Sequence, residues 1–123
     1  MKNILLIDAC VRSCSRTRAL AEHLLDRLGG TVTRLALCET ELPTLDEARL
    51  DWRMDCCAQQ NFEDAYFDYA KQFAAADVIV IAAPFWDGSF PAVLKSYLEN
   101  VSVAGVTFRY SEGGIPTSSQ KRT

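Results

Sequence analysis

The strongest constraint on the fold comes from two short apolar runs, each followed by a loop and a helical pattern. "NILLID", residues 3–8, lies between polar residues, and its short length favours a buried strand over a helix. "DVIVIAA", residues 77–83, is continuous and rich in β-branched residues, which is typical of a central parallel strand buried on both faces. Strands of this kind separated by helical segments predict an α/β fold.

The segment between the two runs supplies further helices and a strand. "SRTRALAEHLLDRLGG" predicts a helix that ends at its two glycines and carries one apolar face, made of Leu20, Leu24, Leu25 and Leu28. "TVTRLAL", residues 31–37, alternates in the way an edge strand with a partly wet face does. Residues 39–60 have no clear period and predict a loop with a short helix at 46–53.

Two more helical patterns complete the order. "NFEDAYFDYAKQFAAA" predicts a helix whose aromatic stripe packs in the core. "PAVLKSYLEN" predicts a helix with Pro91 near its first turn. Strands and helices in this order, joined by right-handed crossovers, predict an open parallel sheet of the flavodoxin-like kind with helices on both faces.

Composition and charge exclude several classes of function. The net charge of -3 disfavours nucleic acid as the main partner, and no apolar run approaches the ~18 residues of a membrane span. The N-terminal apolar run is too short for a secretory signal, so we expect a cytoplasmic protein. Five cysteines without a C-x-x-C pair, and His23 as the one histidine, predict neither disulfides nor a metal site.

The loop after the first strand, "ACVRSCSRTRA", is rich in arginine and hydroxyl side chains, contains no acid, and leads into a helix N-terminus. Free backbone N–H groups and the helix dipole favour an anion at such a position. Ser15 and Thr17 can donate hydrogen bonds to it, and Arg16 adds charge. The alternative is simple capping, with Ser15 as N-cap and solvated arginines. The loop is not G-x-G-x-x-G, so a Rossmann dinucleotide site is not indicated.

The loop after the second strand, "PFWDGSF", places two aromatic residues in a tight polar turn. Parallel sheets bind ligands outside the carboxyl ends of strands where the strand order reverses, so we expect this loop to lie beside the first. Phe85 and Trp86 could then shape a flat slot for an aromatic ring, with the amides of 86–88 at its polar edge and Gly88 allowing close approach. Alternatively, both aromatics simply cover the end of the sheet. A phosphate loop beside an aromatic slot predicts a flavin mononucleotide (FMN) site.

Two blocks, "DACVRSCSRTRALAEHLL" and "DVIVIAAPFWDGSFPAVLKSYLENVSVAGVTFRYSEGG", resemble the flavodoxin-like NAD(P)H-dependent FMN oxidoreductases, the quinone reductase and azoreductase group. The later block carries the specific part of the match. The resemblance implies that the FMN phosphate is held by Ser15, Arg16 and Thr17. It implies that the ribityl chain and isoalloxazine are lined by Pro84, Phe85, Trp86, Asp87 and Gly88.

The resemblance also implies the chemistry and the assembly. A hydride passes from NAD(P)H to the flavin and onward to a small-molecule acceptor: a quinone, an azo compound or free flavin. The cofactor performs this reaction, so no side chain is assigned a catalytic role. Such proteins commonly form dimers, and we expect a homodimer or higher homo-oligomer in which residues 103–110 join the interface.

Members of this family continue past "GVTFRYSEGG" with two more strands, another flavin-contacting loop and a final helix, whereas this chain ends at Thr123. We therefore expect an incomplete flavodoxin-like domain over residues 1–112, truncated to about three core strands, and a polar tail over 113–123. The third strand would have an uncovered apolar edge, which favours pairing with another chain.

Two other functions are compatible with parts of the sequence. The C-x5-R spacing from Cys10 to Arg16 resembles the low-molecular-weight tyrosine phosphatases and arsenate reductases, in which a thiolate attacks phosphorus. The loop lacks the glycine or asparagine that such a cradle needs, and no Asp-Pro pair occurs in the chain. The second alternative is a non-catalytic remnant that binds FMN poorly and mainly self-associates.

Overall fold

The computed structural model describes residues 2–110, 114 and 116–118. Within these residues, no helix is long and apolar enough to cross a membrane. The helices and strands follow in the order β1 (Asn3–Asp8), α1 (Arg16–Leu28), β2 (Thr31–Ala36), α2 (Glu47–Gln59), α3 (Asp68–Ala75), β3 (Val78–Ala82), α4 (Ala92–Val101), β4 (Phe108–Tyr110) and β5 (Pro116–Ser118). Short 3-10 turns at Leu37–Glu39 and Ala65–Phe67 follow β2 and precede α3.

The main sheet is parallel, with strand order β2-β1-β3. Ile4 pairs with Val32 on one side and with Val78 on the other, so β1 is the central strand. The predicted α/β class and the open parallel, flavodoxin-like sheet are therefore confirmed, as is the edge position of β2. The short β4–β5 pair is antiparallel and forms a separate sheet. The domain boundary at residue 112 stays a prediction, since most of 113–123 lies outside the described residues.

The expectation that "DVIVIAA" is a central strand buried on both faces was wrong. Among the described residues β3 pairs with β1 alone, and β1 is the strand buried along almost its whole length. Val78 to Val80 are only half-buried, and Ile81 is 46% exposed. Both runs are apolar, but an apolar run does not reveal how many neighbours its strand has.

One face of the sheet packs against α1. Its core consists of Ile4, Leu6, Cys10, Ala21, Leu25 and Ala82. Of the predicted leucine face, Leu25 is buried, whereas Leu20 is 70% exposed and Leu24 and Leu28 are also exposed. Leu20 and Leu24 lie with Val80 and Ile81 along a groove of about 470 Å³, called here the α1–β3 groove. The sheet is too narrow to cover the whole apolar face of α1.

The opposite face of the sheet holds the larger core. Its buried members include Leu5, Ile7, Leu37, Phe67 and Tyr97. The predicted aromatic stripe packs against this core, as expected, and consists of Phe62, Tyr66, Tyr69 and Phe73. Burial raises the pKa of the Tyr97 hydroxyl well above its usual value, so this group is neutral in the core.

Two helix boundaries differ from the predicted ones because of local capping. The Asp64 side chain accepts a hydrogen bond from Tyr66 N–H, so the chain makes a 3-10 turn there and α3 begins only at Asp68. Asp46 caps α2 in the same way, and α2 continues to Gln59, beyond the predicted 46–53. The left-handed Gln60 ends it.

Candidate functional site

The two loops predicted to meet do lie together at the carboxyl ends of β1 and β3. Ala9 N–H donates to Ala82 O at 2.8 Å, which joins the loops where they leave the sheet. Between them is a cavity of about 370 Å³, lined by Cys10, Val11, Arg12, Cys14, Ser15, Arg16, Thr17, Pro84 and Trp86. Five of the predicted site residues therefore share one cavity, whereas Phe85, Asp87 and Gly88 are not among its lining residues.

The first loop brings a helix N-terminus and positive charge to this cavity. Ser15 is the N-cap of α1, and its Oγ accepts from Arg18 N–H at 3.2 Å, as the capping interpretation predicts. Arg16 and Thr17 form the first turn. Arg12 and Arg16 are exposed on the cavity wall, and none of its lining residues is acidic. An anion placed here meets two guanidinium groups and the positive end of a helix dipole, without a competing carboxylate.

Arg18, which the sequence reasoning did not single out, organises the first loop. Its Nε donates to Asp8 Oδ2 at 2.6 Å. Its Nη1 donates to the carbonyls of Arg12 and Ser13 at 2.8 and 3.0 Å, and its Nη2 donates to the carbonyl of Cys10 at 2.9 Å. The hydrogen bond with Asp8 raises the pKa of Arg18 further above its usual value.

A sequence signal for this pair existed. Asp8 ends the first strand, and the loop that follows contains no other acid. The carboxylate is nearly buried, and its Oδ1 also accepts from Cys10 N–H at 2.9 Å. A nearly buried carboxylate needs a partner, and the arginines that follow in the loop were the candidates. Which of them would serve could not be read from spacing alone.

The second loop is a tight turn. Trp86 N–H donates to Ser89 O at 2.6 Å and Ser89 N–H returns to Trp86 O at 2.8 Å. Asp87 and Gly88 between them have positive φ angles of 49° and 79°, as in a type I′ turn. The Trp86 amide, predicted to be available to a ligand, is therefore used within the turn. A Cβ at Gly88 would meet nothing within 4 Å, so the turn conformation is what requires glycine there, not a crowded neighbour.

The aromatic side chains of this loop are largely open to solvent. Phe85 is 81% exposed and Trp86 is 45% exposed. Trp86 lines the cavity, together with Pro84, while Phe85 lies outside it. The alternative in which both aromatics merely cover the sheet end does not describe Phe85, because a covering side chain would be buried.

Cys10 lacks the properties of a catalytic thiolate. Its side chain is buried and donates from Sγ to Ala82 O at 3.7 Å. Burial raises the pKa of the Cys10 thiol above its usual value, with Asp8 adding to the effect, although Ser15 and Arg18 oppose it. A neutral thiol is a poor nucleophile, which disfavours the cysteine phosphatase alternative.

Comparison with known proteins places the chain in a family. Residues 2–122 match the family described as having a flavodoxin-like fold. The chain belongs to that family. Its parallel sheet with strand order β2-β1-β3 agrees with that fold.

Several flavodoxin-like relatives carry the names of oxidoreductases. The chain is 32% identical over 126 residues to an FMN-dependent NADH:quinone oxidoreductase of Bordetella parapertussis, covering 94% of this chain and 60% of the relative. It is 61% identical over 46 residues to FMN-dependent NADH:quinone oxidoreductase 2 of Clostridium acetobutylicum, covering 37% and 23% of the two chains.

Solved structures similar to this chain include an azoreductase. The crystal structure of an azoreductase from Bacillus anthracis superposes with a TM-score of 0.77 at 27% identity, covering 95% of this chain and 62% of that one. The chain thus spans about 60% of the length of the relatives that it matches over most of its own length.

Proposed function

We propose that the chain binds FMN and belongs to an oxidoreductase that passes reducing equivalents from NAD(P)H through FMN to a small-molecule acceptor. The observation that carries the proposal is the cavity between the two loops, which has two arginines, a helix N-terminus and Trp86 on its walls and no acidic side chain. The names of the relatives, FMN-dependent NADH:quinone oxidoreductase and azoreductase, support the same cofactor and favour NADH as the donor.

The phosphate of FMN fits the first loop. In this proposal the phosphate lies at the N-terminus of α1, held by the Arg16 guanidinium, the Ser15 and Thr17 hydroxyls and the free N–H groups of the first turn. α1 is 13 residues long, which gives it a substantial dipole. Because Arg16 has no acidic partner among the lining residues, its charge is available to a ligand.

The ribityl chain and the isoalloxazine fit the second loop. Pro84 and Trp86 would contact the flavin from the cavity wall, while Phe85, Asp87 and Gly88 would border the ring from the exposed turn. Exposed aromatic side chains at the rim of a cavity support such a role, because a bound ring would cover apolar surface that otherwise faces water.

When bound, FMN supplies the hydride chemistry, accepting from NAD(P)H and donating to a quinone, an azo compound or free flavin. The chain's own residues would bind the phosphate, orient the ring and exclude water from one of its faces. We propose no catalytic acid or base. All five cysteines are unpaired, which supports a reducing compartment and hence the cytoplasm.

Titration of the purified protein with FMN, followed by flavin fluorescence and absorbance, tests the proposal. We expect saturable one-to-one binding, with FMN bound more tightly than riboflavin, which lacks the phosphate. NADH and NADPH oxidation with quinone and azo acceptors would then identify donor and acceptor. A colourless protein that binds neither flavin would overturn the proposal and favour a non-catalytic remnant.

We also propose that the chain self-associates through the α1–β3 groove. Leu20, Leu24, Val80 and Ile81 form the apolar part of the groove, which Thr17, His23 and Arg27 also line. Among the described residues, β3 presents an edge that pairs with no further strand. An open apolar edge favours pairing with a second copy of the same chain. The segment 103–110, expected at the interface, buries Val103 and Thr107 in the chain's own core, so its role stays a prediction.

Sedimentation velocity tests the assembly. Leu20→Glu and Ile81→Lys should shift the protein toward monomer, because each places a charge in the groove. Met54→Glu is the matched control, since Met54 is equally apolar and 67% exposed, but lies on α2. If the groove variants sediment like the control, the groove is not the interface.

A further inference from the structure

The Arg18 guanidinium donates hydrogen bonds to three carbonyl groups of the first loop, which therefore all point toward it. It binds the carbonyls of Cys10, Arg12 and Ser13 at distances of 2.8 to 3.0 Å while its Nε is paired with Asp8. A loop of this length would otherwise be free to turn some of its carbonyl oxygens into the cavity. Carbonyl dipoles facing an anion would oppose its binding, since their negative ends would face its charge.

The orientation of these carbonyls also sets the orientation of the amides. In a trans peptide unit the C=O of one residue and the N–H of the next point in opposite directions. The N–H groups of Val11, Ser13 and Cys14 therefore point away from the guanidinium. Val11 and Cys14 line the cavity, and neither N–H has an acceptor within residues 2–110, 114 and 116–118. Free backbone N–H groups that line the same cavity favour the binding of an anion there.

We propose that Arg18, held by Asp8, is a positioning residue that turns the amides of the first loop toward the FMN phosphate. This inference rests on the proposed function of the cavity and adds a residue that touches the loop rather than the cofactor. Arg18 acts through geometry: its charge is balanced by Asp8 at 2.6 Å. Arg16 differs, because it has no acidic partner in the cavity wall and acts through its charge.

The two arginines therefore predict different behaviour on substitution. A lysine at 18 keeps the charge, but its ammonium cannot reproduce the planar fork that reaches Asp8 and three carbonyls at once. Arg18→Lys should weaken FMN binding about tenfold, as expected for the loss of one or two hydrogen bonds to a charged ligand. Riboflavin affinity should change less than about twofold, because riboflavin has no phosphate for the loop to bind.

Salt dependence separates the two roles. Arg16→Ala should flatten the dependence of FMN affinity on ionic strength, since an exposed cation is lost. Arg18→Lys should lower FMN affinity by a similar factor at every salt concentration. Arg27→Lys, an exposed arginine in the last turn of α1, is the matched control and should behave as wild type.

The experiment is titration of the full chain and of the Arg18→Lys, Arg16→Ala and Arg27→Lys variants with FMN and riboflavin at several salt concentrations. A fall in the FMN-to-riboflavin affinity ratio on Arg18→Lys, with unchanged salt dependence, supports the positioning role. An unchanged ratio overturns it while leaving the proposed function intact. Absence of FMN binding by the wild-type chain overturns both.

A measurement on the unmodified protein covers the case in which Arg18→Lys does not fold. In ¹H–¹⁵N spectra, the amide peaks of Val11 and Cys14 should shift with FMN and shift much less with riboflavin. Equal shifts with the two flavins, or none with FMN bound, would overturn the proposed orientation of the loop.

Discussion

The two loops at the cavity keep their shapes in opposite ways. The first loop is held by the Arg18 side chain, which comes from helix α1 and binds both the Asp8 carboxylate and three carbonyl groups of the loop. The second is held by its own backbone, through the reciprocal bonds of Trp86 with Ser89 and the positive φ angles of Asp87 and Gly88. One loop thus depends on a side-chain network, the other on the local conformation of two residues.

The difference fits the two parts of the proposed ligand. A phosphate needs several donors at fixed positions, and a network of hydrogen bonds can hold backbone amides in place. A flat ring needs exposed apolar surface near the sheet end, which a short turn displays on Trp86 and Phe85. If this division is right, substitutions in the first loop should lower the affinity for FMN more than the affinity for riboflavin. Substitutions in the second loop should lower both affinities alike.

The largest effect is expected from Ser15→Ala combined with Arg16→Ala. Loss of a charged group and a hydroxyl from the phosphate position should weaken FMN binding about 100-fold. Riboflavin binding should stay nearly constant. Flavin fluorescence titration measures both constants, with Arg27→Ala as control. An equal loss of affinity for the two flavins would contradict the proposed position of the phosphate at the first loop.

The double variant also has a stability cost that must be kept separate. Ser15 caps α1, and removing such a cap lowers the free energy of unfolding by about 1 kcal/mol. Arg16→Ala alone should leave the midpoint of thermal unfolding unchanged, because Arg16 is exposed and outside the cap. Comparing the single and double variants separates lost binding from lost stability.

Trp86→Ala should weaken the binding of FMN and of riboflavin to the same extent, by about fivefold, because aromatic contacts contribute on the order of 1 kcal/mol. Quenching of bound-flavin fluorescence should also diminish. Phe90→Ala is the matched control, since Phe90 has a similar exposure of 40% and lies outside the cavity. A selective loss of FMN binding would show that Trp86 contacts the phosphate end instead of the ring.

Gly88→Ala should weaken the binding of both flavins about threefold. An alanine with positive φ costs roughly 1 kcal/mol, which would loosen the turn. Gly29→Ala is a stringent control: Gly29 also has open space around its Cβ position and ends α1 far from the turn, and its φ of 66° and ψ of 166° lie in a region that only glycine adopts readily. Gly29→Ala should therefore lose at least as much stability as Gly88→Ala, and only Gly88→Ala should lose flavin affinity. The same affinity loss in both would point to general destabilisation.

The smallest expected effect is the pH dependence of stability that comes from the Cys10 thiol. Because burial raises the pKa of the thiol above 9.0, the neutral thiol is the stable form in the fold. Its contribution to stability is present below pH 9.0 and is lost as pH rises through the higher folded-state pKa. Denaturation curves at pH 7 and above 9 should show this loss in wild type and in Cys14→Ala, and a smaller loss in Cys10→Ala. Hydrolysis of p-nitrophenyl phosphate that depends on Cys10 would contradict the neutral thiol.

The sequence by itself determined the fold class and the meeting of the two loops. Apolar runs of strand length separated by amphipathic helices leave few arrangements other than a parallel α/β sheet. In such a sheet, the loops after β1 and β3 must emerge at the same end. The placement of Ser15, Arg16 and Thr17 at a helix N-terminus followed from the same pattern, because capping residues are local signals.

Only the tertiary structure decided which strand is central and which arginine is structural. "NILLID" and "DVIVIAA" are both short apolar runs, and the number of neighbours that a strand has depends on pairing with distant parts of the chain. Three arginines follow Cys10 within the first loop and helix turn, and Arg18 was selected by the path of the backbone, which places three carbonyls and Asp8 within reach of one guanidinium. Local patterns define elements and caps, whereas partners brought together by the chain's path become visible only once the fold has formed.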